Sequence, residues 1–457
     1  MFNKADSPFL LSKSGPSAEG IRWIKAHPVT VWAILFFAGL SGSFLLRHES
    51  EWDDVYIRAA NHLRAGESIY QLNEGYVYPP FMAALALPFT FLPTLGERLA
   101  WYLVNVVCLI LLVRWAWQLA GGGRLQGEKT QDKQEFFIFF LGLACGLRYA
   151  MDCFSHQQTD LFIGALVLGG CSALFNSHPL LAATCFGIAA GSKCTALLWC
   201  GFLVWRGHWL AAGWLVCTAV GVNLLPNLFH APPDGGWWVV EWFERYIRPL
   251  AGSDHIPGTW YSEIVYNQSL SGAINRWFTT DWTWTTDAGF AVANSENPLN
   301  PLFLKGLVYG LELVLLAAVL MAIDCRKDTS SFFNPSQRPR EGLAYSMVLI
   351  LMLLFSPMSS KPHFCTVLLP AFCLARLALT QPNHKLGLLL GAAIAFGTAG
   401  IKGLWGGEAA AAALWCGNVM WSTLFLFAGC WGALMQGKSS SLKSSVFSFQ
   451  GRESGAV

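Results

Sequence analysis

Apolar runs that span about 30 Å of hydrocarbon, or nearly so, recur along this sequence at roughly 29–46, 97–118, 135–152, 160–175, 179–192, 194–205, 209–225, 302–323, 342–356, 364–380, 385–402 and 410–435. Inside a bilayer every backbone N–H and C=O must find its partner within the protein, so segments of this length admit helices and little else. The expected fold is all-α and polytopic, with about twelve transmembrane helices joined by polar loops and interfacial helices. The composition agrees: of 457 residues 54% are hydrophobic and 13% charged, with a mean hydropathy of +0.42.

The run 80–93 (PFMAALALPFTFLP) is apolar but short, broken by Pro88 and ended by Pro93. Short cytoplasmic loops collect Lys and Arg, and this decides its status. If 80–93 lies in the outer interface, then Arg114, Arg124, Lys129, Lys133, Arg206, Arg326, Lys327, Arg338, Arg340, Lys385, Lys438 and Lys443 all fall on the cytoplasmic side. The expected organisation is a cytoplasmic segment 1–28 and a transmembrane region 29–436 with extracytoplasmic loops 47–96 and 226–301. A Ser-rich, disordered cytoplasmic tail 437–457 follows. The first 28 residues lack the pattern of a cleaved signal peptide, so the first helix is expected to stay as an anchor.

A net charge of +2 without a basic cluster excludes nucleic acid as a partner. Nearly all of the thirteen cysteines lie in apolar runs and none forms a CxxC pair, which argues against both a disulfide framework and a zinc site.

Under this topology the remaining polar stretches converge on one side of the membrane: Glu51 to Pro80, the turn SHQQTD from Ser155 to Asp160, Lys193, the loop 226–301, and the turn SSKPH from Ser359 to His363. The loop 226–301 is rich in Trp (Trp237, Trp238, Trp242, Trp260, Trp277, Trp282, Trp284), a composition that suits an interfacial belt and also sugar stacking. Asp53 and Asp54 are the candidate catalytic residues, one of them a general base beside an acceptor hydroxyl. Both also suit the negative charge that a helix N-terminus favours. Lys193 interrupts an apolar stretch, and an ammonium there must be paired, wet or snorkelling. Arg58, Arg276 and Lys361 are further cations. His363 suits a phosphate or a hydroxyl. Tyr78, with Tyr70 and Tyr76, suits stacking or an interface anchor. Gln158, Asp160, Asn267 and Gln268 suit sugar hydroxyls or loop-closing hydrogen bonds, and Asn267-Gln268-Ser269 also reads as an N-glycosylation triplet.

WDDVYIRAANHLRAGESIY followed by YVYPP resembles the opening loop of the family 87 glycosyltransferases, membrane proteins of the GT-C superfamily, with their acidic residue, VYxxAAxxLxxGxxxY and YPP. HQQTD is similar to that family's Gly-Gln-x-Asn turn, with Gln157 in place of the Gly and Asp160 in place of the Asn. GIAAGSK (Gly187 to Lys193), NQSLSG (Asn267 to Gly272) and His363 before FCTVLLP continue the resemblance in order. The acidic position falls between registers, with Trp52 in one and Asp53 and Asp54 in the next.

The resemblance implies a GT-C-like enzyme in a plasma membrane of bacterial type. It would move a hexose such as mannose, or a pentose, from a polyprenyl-phosphate donor to an extracytoplasmic glycan or glycolipid acceptor, with inversion. Membrane lipids are the other partners. No cofactor is implied beyond the lipid-linked donor, and the adjacent carboxylates lack the spaced ligand set of a divalent cation site. The competing classes are a secondary transporter, which would carry ionisable groups at the midplane and inverted repeats, and a non-catalytic lipid-binding protein.

Overall fold

A computed structural model describes residues 28–47, 50–71, 74–123, 129–251, 262–285, 289–325, 338–381 and 383–453. The segment 1–27, Trp260, Arg124, Arg326 and Lys327 lie outside the described residues. The chain divides into two units, Met1–Arg47 and His48–Val457. The first holds α1 (Pro28–Leu45), an 18-residue apolar helix of about 27 Å.

The second unit is built almost entirely of helices. A π-helical turn, Trp52–Ile57, runs into α2 (Arg58–Ala65). The run 80–93 forms only α3 (Phe81–Ala86) and a 3₁₀ turn over Leu87–Phe91, too short to cross a bilayer. Then follow α4 (Thr94–Leu119), α5 (Lys129–His156), α6 (Asp160–Phe175), α7 (Pro179–Ser192), α8 (Leu198–Trp205) and α9 (Trp209–Leu224). The loop after α9 contains α10 (Trp238–Trp242), α11 (Leu270–Thr279) and a hairpin of β1 (Thr280–Thr285) and β2 (Gly289–Asn294), antiparallel with Trp282 opposite Val292. The chain ends with α12 (Pro301–Ala322), α13 (Arg338–Leu354), a 3₁₀ turn Lys361–Val367, α14 (Leu368–Thr380), α15 (His384–Ala399), α16 (Lys402–Trp415) and α17 (Asn418–Glu453).

Among the described residues six helices are long and apolar enough to span, and the pair α15–α16, bent by 86°, makes a seventh if it is one span. The expected count of about twelve is not reached. Residues 160–175 and 179–192 form helices of 16 and 14 residues, about 24 and 21 Å long, and 194–205 is split into a 3₁₀ turn and an eight-residue helix. The run 410–435 is not one helix either. Gly417, at φ 73°, takes the left-handed conformation that ends α16 before α17 begins. α17 in turn continues to Glu453 where disorder was expected, because no Pro or Gly interrupts 438–450.

Glycine governs how closely the short helices pack. A Cβ on Gly187 would lie 2.7 Å from the Leu215 carbonyl oxygen, and one on Gly191 would lie 2.3 Å from Val222, so α7 meets α9 backbone to backbone. This fixes the end of α7 that presents Lys193. At the opposite end of the bundle, ion pairs tie the helices: Arg376 to Glu135 through two bonds of 2.6 and 2.7 Å, Arg206 to Glu341 at 2.9 Å, and Asp324 to Arg340 and Lys438.

Candidate active site

The π-helical turn anchors the first polar loop. Trp52, fully buried, stacks on Trp101 of α4 with ring centroids 3.8 Å apart and planes within 5°. One turn earlier on α4, Arg98 grips Asp53 through Nε at 2.7 Å. Ser50 caps the turn, its Oγ accepting from the Asp53 N–H at 3.2 Å.

These contacts leave Glu51, half-buried, facing the bundle. Its carboxylate accepts from Gln158 Nε2 at 2.5 Å and from the Tyr78 hydroxyl at 3.1 Å. Burial pushes the Glu51 carboxyl above its ordinary value. The Gln158 bond works against this, the Asp160 carboxylate adds to it, and Tyr78 and Lys193 oppose it. Burial also raises Tyr78, which keeps its hydroxyl a neutral donor.

Gln158 reaches Glu51 because of the residue before it. Gln157 sits at φ +54°, a conformation in which glycine is cheapest and another residue carries a cost of order 1–3 kcal/mol. Its side chain offsets part of that by accepting from Ser50 Oγ, and its carbonyl accepts from Trp101 Nε1 at 3.2 Å. Gln157 thus ties the turn to the first loop. Thr159 adds a hydroxyl contact to Tyr56 at 3.2 Å.

Asp160 opens α6 and accepts from Lys193 Nζ at 3.2 Å. Lys193 leaves α7 in extended conformation and also touches His363 Nε2. His363 Nδ1 lies 3.0 Å from Ser360 Oγ and 3.8 Å from Asp160 Oδ2. Two thiols brace the cluster from below: Cys153 donates to the Pro362 carbonyl and Cys365 to that of Asp160. Asp160, Lys193, Thr195, Ser356, His363 and Thr366 line a cavity of about 10 Å³, room for roughly one water.

Of the residues singled out in the sequence, the structure brings Tyr78, Gln158, Asp160, Lys193 and His363 together, and adds Glu51, Ser360, Tyr56 and Thr159. Asp53 stands beside them in its pair with Arg98. Asp54 is exposed and pairs loosely with exposed Arg58 at 3.4 Å. Asn267 and Gln268 are elsewhere, fully buried, with both amide hydrogens and the oxygen of each bonded to backbone. Asn267 donates to the Ser262 and Pro357 carbonyls and accepts from the Ser269 and Ser359 N–H groups. Gln268 donates to the Val265 and Leu414 carbonyls and accepts from the Val419 N–H. Arg276, also fully buried, donates to the carbonyls of Trp415, Ile264 and Asn267. This knot leaves no amide for a sugar and presents no Asn267 for glycosylation. It holds Ser359, and with it the turn that carries His363.

The loop after α9 packs over the first polar loop through its aromatics, Trp242 donating to the Val77 carbonyl at 3.1 Å and Tyr246 to that of Tyr76 at 3.1 Å. Trp238 is buried against it, while Trp237 is 52% exposed and free for an interface. Among the described residues no three His, Cys, Asp or Glu side chains gather as metal ligands.

No curated protein matches the chain. In a comparison of folds the chain aligns with the crystal structure of ArnT from Cupriavidus metallidurans in the apo state, at 14% identity and a TM-score of 0.38, over 89% of this chain and 77% of that one. The sequence profile of glycosyltransferase family 87 matches residues 76–357, more than half of the chain, starting within the first polar loop. The chain belongs to glycosyltransferase family 87 and is a multi-pass membrane glycosyltransferase.

Proposed function

We propose that this enzyme transfers a hexose such as mannose, or a pentose, from a polyprenyl-phosphate donor to an acceptor hydroxyl on the extracytoplasmic side, with inversion, and that Glu51 is the general base. One observation carries the reading. A half-buried carboxylate with a raised pKa shares a polar cluster with Lys193, Asp160 and His363 at one end of an otherwise apolar bundle.

The acceptor oxygen attacks the anomeric carbon and gives its proton to Glu51 as the new bond forms. The bond from that carbon to the phosphate oxygen breaks, and the charge that grows on the phosphate is met by Lys193, released from Asp160. A single displacement inverts the anomeric centre, whereas retention would need a second, nucleophilic group. Gln158 and Tyr78 orient the base. Asp53, locked to Arg98, holds the segment from which Glu51 projects, and Asp54 lies on its solvent side.

The test is purified protein with radiolabelled polyprenyl-phosphate sugars and a crude membrane acceptor pool. Transfer that survives in Glu51→Gln but stops in Asp53→Asn or Asp54→Asn would return the base to the aspartates. Donor binding without transfer under any condition would favour a lipid-binding protein.

A further inference from the structure

One spanning helix carries a carboxyl that meets no partner. Glu312 lies eleven residues from Pro301 and ten from Ala322 in α12, about 16 and 15 Å from the two ends of the helix. With a hydrocarbon layer of about 30 Å, this puts it near the middle of the bilayer, where its short side chain reaches no headgroup on either side. Among the described residues no hydrogen bond or ion pair closes on it. It opens into a groove of about 400 Å³, walled by Tyr309, Leu313 and Leu316 of the same helix and by Phe355, which follows α13. Residues 309, 312, 313 and 316 recur at intervals of three and four, so they share one face of α12. Tyr309 and Leu313 are exposed, and α12 is the least buried of the six spanning helices among the described residues.

A carboxyl at this depth is expensive unless a donor or a cation meets it, and the partner must do so inside the hydrocarbon. Lipid chains bring no donor, and headgroups lie about 15 Å away. The spanning helix α1, in the other unit, contains no Lys or Arg and so brings no counter-charge. At a symmetric contact a second copy of this chain would set carboxyl against carboxyl. A foreign transmembrane helix with a Lys or Arg near its middle meets every requirement. Its long side chain can lie along Leu313, Leu316 and Phe355 with its charged head on Glu312, and the Tyr309 ring offers the cation a face.

We propose that the groove between α12 and Phe355 is the docking site for a partner protein's transmembrane helix that carries a basic residue at mid-bilayer, paired with Glu312. The groove is distinct from the donor cavity: Phe355 walls the one, and Ser356 lines the other with Lys193 and His363. A helix docked here lies one residue from the turn that carries His363, yet the docking does not depend on the transferase reading given above.

The experiment uses full-length protein in phosphatidylcholine vesicles with two synthetic transmembrane peptides, one with a core of leucine alone and one with a single lysine at its centre, and reads binding by resonance energy transfer. Wild type binds the lysine peptide at least about tenfold more tightly than the leucine peptide. Glu312→Gln and Glu312→Leu bind the two alike, and Glu312→Lys prefers a third peptide with glutamate at its centre. Leu316→Trp, which fills the groove and leaves the carboxyl in place, weakens binding of the lysine peptide about tenfold. Should Glu312→Lys fail to insert, Glu312→Gln decides, because it removes the charge without adding bulk. Equal binding of the lysine and leucine peptides by wild type, or an undiminished preference in Glu312→Gln, overturns the proposal. A photoreactive polyprenyl chain that labels Leu313 or Leu316 and displaces the lysine peptide would make the groove a lipid-chain site, and self-association lost in Glu312→Gln would make the occupant a second copy; either result overturns it as well.

Discussion

Arg98 holds Asp53 through two nitrogens on a single carboxylate oxygen, Nε at 2.7 Å and Nη2 at 2.5 Å, with both side chains less than one-fifth exposed. The adjacent acids therefore differ in role: Asp53 is fixed to α4, Asp54 is solvated, and Glu51 points to Gln158 and Tyr78. Asp53→Asn and Arg98→Leu each strand a partner and are expected to cost about 3 kcal/mol of stability, visible as a lowered melting temperature. Glu51→Gln keeps the shape and one of the two acceptor oxygens, and is expected to lower kcat by about 10²–10⁴ with donor affinity unchanged. A Glu51→Gln enzyme of near-normal turnover sinks the assignment.

The pH dependence follows from burial of Glu51. Its carboxyl must be ionised to act and its pKa is raised, so the acid limb of kcat is expected above the ordinary glutamate value of about 4.3. The Tyr78 hydroxyl donates to the ionised form, so Tyr78→Phe moves that limb to higher pH. Linkage gives the stability the opposite trend: the contribution of neutral Glu51 is full below the unfolded pKa and is lost as pH rises through the raised one. A limb at the ordinary value, or a shift to lower pH in Tyr78→Phe, contradicts this account of the carboxylate.

Lys193 is expected to bind the donor phosphate after exchanging Asp160 for it. Lys193→Met removes that partner from a buried site and should weaken donor affinity by at least about a hundredfold, measured by competition with a polyprenyl phosphate. Asp160→Asn returns the residue type that the resembling turn carries. It frees the ammonium and is expected to tighten donor binding while destabilising the apo protein. Normal donor affinity in Lys193→Met would leave the lysine as a structural partner of Asp160 alone.

Much of the site could be read in the sequence because its parts are polar interruptions of apolar runs, and burial in lipid makes such interruptions expensive. That argument located Gln158, Asp160, Lys193 and His363, and the structure puts them in contact. It put the catalytic carboxylate at Asp53 or Asp54 and passed over Glu51. The π-helical turn adds a residue to the local repeat and so decouples spacing from facing, and Arg98, which selects Asp53, lies 45 residues away. For Asn267 and Gln268 the sequence left both readings open for a related reason: an amide that binds a sugar and one that closes a backbone knot have the same sequence signature. The expected dozen spans are not matched by helix length where glycine lets short helices pack tightly, as in α6 and α7, and where Gly417 breaks a continuous apolar run.

The orientation is testable on its own. The Lys and Arg distribution predicts a cytoplasmic Gly127 and an extracytoplasmic loop 226–301. An alkaline phosphatase fusion within the loop should be active and one after Gly127 inactive. The reverse pattern would put the Glu51 cluster on the cytoplasmic face and exclude an extracytoplasmic acceptor.

The last prediction concerns how α7 delivers Lys193. Gly187 and Gly191 lie one turn apart on the face that meets α9, and a methyl at either would come within 2.3–2.7 Å of atoms on that helix. At Gly187 the nearest groups include the Leu215 carbonyl, which cannot rotate away, so α7 itself must move. At Gly191 the neighbours are the Val222 side chain and Asn223, whose amide donates to the Gly191 carbonyl at 3.1 Å and accepts from the Phe81 N–H at 2.9 Å. Overpacking of this kind costs about 1–3 kcal/mol. Gly187→Ala is expected to lower the melting temperature with donor affinity reduced only in proportion. Gly191→Ala, two residues from Lys193, shifts the lysine relative to Asp160 and His363 and should weaken donor binding by more than its stability loss explains. The two variants separate under a pairing of thermal unfolding with donor competition. If Gly191→Ala binds donor as wild type does, the ammonium is positioned by Asp160 and His363 alone rather than by the packing of α7 on α9.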